Sequence, residues 1–320
     1  MKHRVFITGG MGFVGGRVAQ WLAADSDIEL VLGSRTKRLA APSWLPCALP
    51  VTMDWHSFDS LVAACRGVDT LVHLAGMNDS ECLHNPVDAW EVNTVNTARL
   101  MEAAKVASVK RVIYFSTAHI YGSRLVGTID ESTLPRPRHP YAASHRAAED
   151  IVLAAASDTL FSIVLRLSNG FGVPAHPEVN AWMLLVNDLC RQVVTKHSIS
   201  LRSSGLQQRD FITLYDVGRV VAHMINLPED MADDGVFNVG SGKSLRIIDI
   251  AELVQRRCTE IFGFTPQITR SEPIQNEENE GFDYRQDKLV STGFSLKGNP
   301  IDEIDEILRI CNTYFVGGSL

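Results

Sequence analysis

The sequence predicts an α/β protein built on a doubly wound parallel sheet, and three observations carry that expectation. Short β-branched runs alternate with longer helical patterns through the first half of the chain, as parallel strands joined by crossover helices do. A glycine-rich turn separates the first of these strands from the first helix. With 45% hydrophobic and 21% charged residues, the 320-residue chain has the composition of a globular protein with a sizeable core.

Taken in order, the strands are expected at residues 4–8, 29–32, 50–53, 70–74, 111–116 and 161–165. Between the first two, Val14, Val18 and Trp21/Leu22 recur at helical spacing. Residues 88–107 form another helix, with Val92, Val95, Leu100 and Ala103/Ala104 as its apolar face. Residues 142–156 read as a helix so rich in alanine that close packing is expected. After Arg166 the rhythm changes. Gly170, Gly172, Pro174 and Pro177 predict a loop, followed by a helix at 182–194, a strand at 198–202 and a loop to Asp210. A further strand is expected at 236–239 and a helix at 247–262, while 276–280 reads as an acidic surface loop. The boundary falls near 167. It gives a first domain of residues 1–167 and a smaller C-terminal α/β domain of 168–320, with segments near 210–240 crossing back.

Charge and composition exclude several classes of protein. A formal net charge of −7 is not the basic footprint of a nucleic-acid binder. No apolar run approaches the roughly 18–20 residues that span a bilayer, so no membrane association is expected. The start, Met1-Lys2-His3-Arg4 followed at once by Val5-Phe6-Ile7, is too short in its apolar part for a secretion signal. Six scattered cysteines without a CxxC or a Cys/His cluster predict reduced thiols in a cytoplasmic protein and no metal site.

Gly10-Met11-Gly12-Phe13-Val14-Gly15 fits GxGxxG between a strand and a helix. The glycines permit a tight turn and let backbone approach a pyrophosphate, while the helix N-terminus offers N–H groups to the anion. Alone, the motif could be an ordinary strand-to-helix turn; its place on the first strand of a repeating α/β pattern makes it a Rossmann-type dinucleotide turn. Gly9, Gly12, Phe13, Val14 and Gly15 are the candidate cofactor residues here. The acid that normally holds the adenosine ribose ~20 residues on is absent. Gly33-Ser34-Arg35-Thr36-Lys37-Arg38 stands there instead, so Ser34 and Arg35 predict NADP(H) over NAD(H).

With the turn Thr8 to Gly15 in view, the sequence resembles the extended short-chain dehydrogenase/reductase family, in its branch of nucleotide-sugar epimerases, dehydratases and reductases. TGGMGFVG is similar to that family's TGGxGFxG. The resemblance implies that Asp54, with Trp55 beside it, meets the adenine. It implies also that Leu74-Ala75-Gly76 forms the nicotinamide-side turn and that Asn93 belongs to the cofactor site. Phe115 to Gly122 resembles the segment of the catalytic Ser/Thr, which falls on Thr117. The Tyr-x-x-x-Lys segment aligns with Tyr141-Ala142-Ala143-Ser144-His145, so Tyr141 is the implied catalytic phenol and His145 replaces the lysine. Gly205 to Phe211 with Asp216-Val217 is similar to the family's GxxxRDFxxVxDV, which makes Arg209 the implied diphosphate clamp; read alone, Arg209-Asp210 would be an ion pair. Asn169 matches an asparagine at the sugar-diphosphate.

The substitution at His145 bears on the chemistry. A phenol serves as a base near neutrality only if positive charge lowers its pKa from about 10. His145, at i+4 from Tyr141, shares its helix face and as imidazolium could do part of lysine's work, but it is neutral much of the time at pH 7 and its side chain is shorter than lysine's. Donating a proton, as reduction requires, asks less of the phenol. Dehydratases carry an Asp-Glu pair after the catalytic Thr, where this chain has Ala118 and His119, and His119 then reads as a substrate-lining residue. The expected activity is a 4-keto-sugar reductase acting on a nucleotide-diphosphate sugar. The alternatives are a nucleotide-sugar 4-epimerase and a non-catalytic NADP-binding regulator. The resemblance further implies a homodimer, for which Ala147, Ala148, Ala154 and Ala155 suit close helix packing.

Overall fold

The protein is described by a computed structural model over residues 2–36, 40–273 and 281–317. Seven parallel strands make the main sheet: β1 (His3–Thr8), β2 (Ile28–Ser34), β3 (Leu49–Thr52), β4 (Thr70–His73), β5 (Arg111–Thr117), β7 (Phe161–Leu167) and β11 (Val236–Val239). Their order is β11-β7-β5-β4-β1-β2-β3, with β1 bonded to β2 on one side and β4 on the other. Winding therefore reverses between β1 and β4. In an open parallel sheet that reversal opens a crevice at the carboxyl ends of the strands.

Helices cover both faces. On one side lie α1 (Phe13–Leu22) and α8 (Leu214–Asn226), whose apolar stripes join β1, β5 and β11 in a single core. Gly218 permits the close approach of these two helices, since a Cβ there would stand 2.7 Å from Trp21 Cβ. On the other side α2 (Phe58–Cys65), α5 (Asn96–Val106) and α6 (Pro140–Ala154) bury Leu61, Leu100 and Ala148 against β4 and β5. The short helices α3 (Asp79–His84) and α4 (Pro86–Trp90) lead into α5. The helix expected at 88–107 is thus broken: residues Glu91–Val95 form a π turn that rotates Asn93 inward. A small strand pair, β6 (Gly127–Ile129) with β14 (Phe282–Tyr284), flanks this body.

The remaining elements form a second core. It contains β8 (Asn169–Phe171), α7 (Leu185–Lys196), β9 (Ser198–Ser200), β10 (Gln208–Thr213), β12 (Ser244–Arg246), α9 (Ile247–Phe262), β13 (Gln267–Thr269) and α11 (Pro300–Cys311), whereas α10 (Asp287–Ser291) packs its Leu289 into the first core beside β11. Phe171, Leu189, Val193, Val254, Ile304 and Leu308 lie at its centre. Two expectations are corrected here. The loop expected to run to Asp210 ends earlier, at Gln208, where β10 begins and pairs with β8 and β12, and the helix placed at 182–194 begins at Leu185. Residues 276–280, together with Lys37 and Arg38, lie outside the described residues.

Candidate active site

The turn from β1 into α1 is built by contact distances that only glycine allows. Gly9 has φ +69°, and a Cβ on it would stand 2.8 Å from the backbone of Leu74 and Ala75. A Cβ on Gly15 would meet the Gly9 carbonyl oxygen at 2.3 Å. Gly12 N–H donates to that same carbonyl at 2.9 Å. No side chain caps α1, so the amides of Phe13, Val14 and Gly15 in its first turn stay open to an anion. This cradle fits a dinucleotide pyrophosphate. Next to it, Ser34 closes β2 and bonds Thr36, Arg35 is exposed without an ion pair among the described residues, and Asp54 accepts from His56 N–H at 3.0 Å. The Trp55 ring centroid lies 6.1 Å from that of His73.

Asn93 ties the crevice to helix α6. Its Oδ1 accepts from Met77 N–H at 2.8 Å, and its Nδ2 donates to Ser144 Oγ at 3.0 Å. The residue is buried with both ends of its amide bonded, so its place is that of a brace between the Leu74-Ala75-Gly76 turn and the helix of Tyr141. A second brace is the buried Glu149–Arg166 pair, 2.9 Å, which fixes α6 to β7.

At the C-terminal end of β5, Thr117 and its neighbour Tyr141 face the crevice. Burial pushes the Tyr141 phenol up to about 12, with the Thr117 hydroxyl opposing. His119 has its ring 6.5 Å from Tyr141, and burial, then the Arg209 charge, hold its pKa down.

His145 sits where an imidazolium would be costly. Its Nδ1 is 2.7 Å from the Tyr114 hydroxyl, its ring centroid is 4.5 Å from that of Tyr141, and burial pushes its pKa down to about 4. It is a neutral ring at pH 7. His73 behind it is likewise neutral, bonded to Thr8 at 2.6 Å and Thr97 at 2.9 Å, with burial lowering its pKa to about 3.

Arg209 and Asp210 do not pair, because alternation along β10 sends them to opposite faces. Asp210 is fully buried, accepting from Ser168 Oγ at 2.5 Å and from the Ser241 and Lys243 amides. Arg209 faces the crevice, where burial lowers its pKa and the Asp79 charge raises it. No carboxylate pairs with it among the described residues; its side chain reaches only Gln207 Oε1, at 3.4 Å. Asn169 Nδ2 donates to the Asp210 carbonyl at 2.8 Å.

Sequence reasoning missed two residues of this crevice. Asp79 Oδ1 lies 3.1 Å from His139 Nδ1, and its charge acts on Tyr141, His119 and Arg209. The readable signal was the capping box of Asn78 and Glu81, which starts a helix at the crevice mouth with Asp79 in its first turn. Tyr114, the partner of His145, left no signal, since it looks like any core aromatic of a strand.

Fold and crevice together define a Rossmann-type α/β protein with a Tyr-Thr pair opposite a dinucleotide cradle. Residues 5–240 match the model of the NAD dependent epimerase/dehydratase family, and the chain belongs to that family. It is 28% identical over 269 residues to the mouse dTDP-D-glucose 4,6-dehydratase, covering 79% of this chain and 72% of the relative. It is 27% identical over 266 residues to the GDP-6-deoxy-D-mannose reductase of Pseudomonas aeruginosa, covering 79% and 80%. The UDP-glucose 4-epimerase of Thermus thermophilus, solved with NAD, has the same fold at TM-score 0.77 and 22% identity, covering 97% of this chain and 99% of that one. Structures of this fold include complexes with NAD and with NADPH. The relatives thus comprise dehydratases, epimerases and reductases of nucleotide sugars. Among the described residues, no helix is long and apolar enough to cross a membrane and no His/Cys/Asp/Glu group is placed to hold a metal.

Proposed function

We propose that the protein is an NADPH-dependent reductase of a keto group, at carbon 4, on the hexose of a nucleotide-diphosphate sugar. One observation carries the direction: the catalytic phenol has a neutral histidine beside it where the family has a lysine cation. Tyr141 therefore keeps its proton and is suited to giving it away. When bound, the nicotinamide supplies a hydride to the carbonyl carbon. Tyr141 donates its proton to the carbonyl oxygen, and the Thr117 hydroxyl hydrogen-bonds that oxygen. Tyr141 then takes a proton back from water, as its high pKa favours. Arg209, facing the crevice without an acid partner among the described residues, clamps the diphosphate, and His119 and Asn169 line the sugar side. The glycine cradle holds the pyrophosphate, with Asp54 and Trp55 at the adenine and Leu74, Ala75 and Gly76 at the nicotinamide side. The exposed Ser34-Arg35 end of β2 supports NADPH, since an Arg there accommodates a 2′-phosphate. We assign residues 1–167 to the cofactor domain and 168–320 to the substrate domain, the chain crossing back near 210–240, and expect a cytoplasmic homodimer.

The test is NADPH oxidation, followed by absorbance, with a panel of 4-keto-sugar nucleotides on wild type and Tyr141→Phe. A turnover that falls at least ~100-fold in the variant supports the reading. A protein purified with one tightly bound NAD per chain, interconverting sugar epimers without consuming NADPH, would be an epimerase instead. No turnover, together with ligand responses unchanged in Tyr141→Phe, would make it a regulator.

A further inference from the structure

Tyr114 lies on β5 with its ring buried, and its hydroxyl has one hydrogen-bond partner among the described residues, His145 Nδ1 at 2.7 Å. A buried hydroxyl proton left unpaired costs more than the bond it could make. The proton therefore points at Nδ1. A neutral imidazole that accepts at Nδ1 carries its own proton on Nε2.

The groups around the ring agree with a neutral state. Tyr114 faces it from β5 and Tyr141 from its own helix, at ring separations of 5.9 and 4.5 Å. His73 on β4 lies behind Tyr114, 5.5 Å between centroids with the ring planes tilted by 42°. Glu149, farther along α6, acts on Tyr114 but is bonded to Arg146 and Arg166. No carboxylate bonds His145 among the described residues, so none holds a second proton on it.

The free edge of the ring faces the crevice. Cε1, which lies between the two nitrogens, would stand 3.9 Å from a Cβ placed on Gly76, in the turn after β4. That turn borders the reversal of strand order where the dinucleotide cradle lies. The residue keeps 8% of its surface exposed, and Nε2 has no hydrogen-bond partner among the described residues.

We propose that His145 acts as an uncharged positioning residue: the Tyr114 hydroxyl fixes the tautomer, and Nε2–H is held outward as a hydrogen-bond donor to the dinucleotide bound in this crevice. The inference rests on dinucleotide binding in this crevice, as in the proposed function, but not on the reductive direction.

Two measurements on the full chain test it. Long-range nitrogen–proton NMR of the labelled wild type should show the Nε2–H tautomer for His145 from about pH 5.5 to 8. A ring protonated at Nδ1, or doubly protonated at about pH 6.5, overturns the proposal. The second measurement is equilibrium binding of NADPH by fluorescence, without substrate. His145→Asn keeps a group at the Nδ1 position and loses the outward donor, so its Kd should rise about five- to tenfold. His145→Gln places an amide near the Nε2 position and should stay within about twofold. Tyr114→Phe, which frees the tautomer, should fall between them. His145→Asn binding NADPH as tightly as wild type also overturns the proposal. The two readings fail separately. Absent keto-sugar reduction with these binding differences intact sinks the reductase and leaves His145 its role; reduction with no binding difference does the reverse.

Discussion

Replacing His145 with lysine restores a cation beside Tyr141, and the size of the effect can be worked out from the geometry. The two rings are 4.5 Å apart in the native protein. At that distance, with an effective dielectric near 20, a unit charge stabilises a phenolate by roughly 3–4 kcal/mol, or about two to three pKa units. Tyr141 starts at about 12. The variant's phenol should therefore titrate at about 9–10. The lysine also strands the Tyr114 hydroxyl, at a stability cost of about 1–3 kcal/mol that a urea melt would read. The assay is kcat/KM for keto-sugar reduction by NADPH from about pH 6 to about pH 10.5, with tyrosinate absorbance followed in parallel. Wild type should hold a plateau to about pH 10. The variant should lose activity about tenfold per pH unit above its shifted pKa, while gaining rate in the oxidative direction near neutrality. Superimposable profiles and an unshifted tyrosinate signal would refute the reasoning, because the neutral histidine would then not be what keeps the proton on Tyr141.

Gly15→Ala places a methyl 2.3 Å from the Gly9 carbonyl oxygen, so the turn must move; NADPH binding measured by fluorescence should weaken at least ~10-fold, and a change under twofold would deny the cradle its role. Arg209→Ala should raise the Kd of a nucleoside diphosphate at least ~10-fold by calorimetry and leave NADPH binding unchanged. Arg209→Lys should recover only part of this, since a point charge cannot bond a diphosphate through two parallel N–H groups. Stability should fall with acid. His73 and His145 are held at about 3 and about 4, below the ~6.5 of the unfolded chain, so their contribution is full above that value and drains away as pH falls towards the folded values. At pH 5 each accounts for a loss of about 2 kcal/mol. Burial pushes the Asp210 and Glu303 carboxyls up, which works the other way, so the comparison is between wild type and His73→Gln. Equal slopes of the urea midpoint between about pH 7 and 5 in the two proteins would count against it.

The sheet was legible because its inner parallel strands are buried on both faces and write themselves as short apolar runs, as Val5-Phe6-Ile7 and Leu71-Val72 do. The glycine turn was legible because its backbone contacts forbid any other residue. The second half was harder to read. β8 and β10 run three and six residues, with Asn169, Arg209 and Asp210 in them, so hydrophobic alternation is masked by the polar residues that line the crevice. α8 and α11 have strong apolar stripes at Val217, Val220 and Val221 and at Ile304, Ile307 and Leu308, which the sequence reading passed over after the strand rhythm ended. The electrostatics of the candidate site were the least accessible. Whether His145 is charged depends on its burial, and its hydrogen-bond partner Tyr114 lies 31 residues away on another element, so no spacing rule along a helix could show either.

The position of β11 has a practical consequence for engineering. Residues 236–239 form the edge of the seven-stranded sheet, and α8 just before them packs against α1, yet the second core draws on chain both before and after this excursion, from Phe171 to Phe211 and from Ile247 to Cys311. If the second core is the substrate domain, as proposed, sugar specificity cannot be moved to another member of the family as one contiguous cassette. A chimera needs two grafts, cut on either side of α8 and β11, and the pair must arrive together because their side chains interdigitate in one core. A single crossover near 167 would import a foreign α8 and β11 against the native α1 and β7, mismatching the wall of the sheet on which the cofactor turn stands.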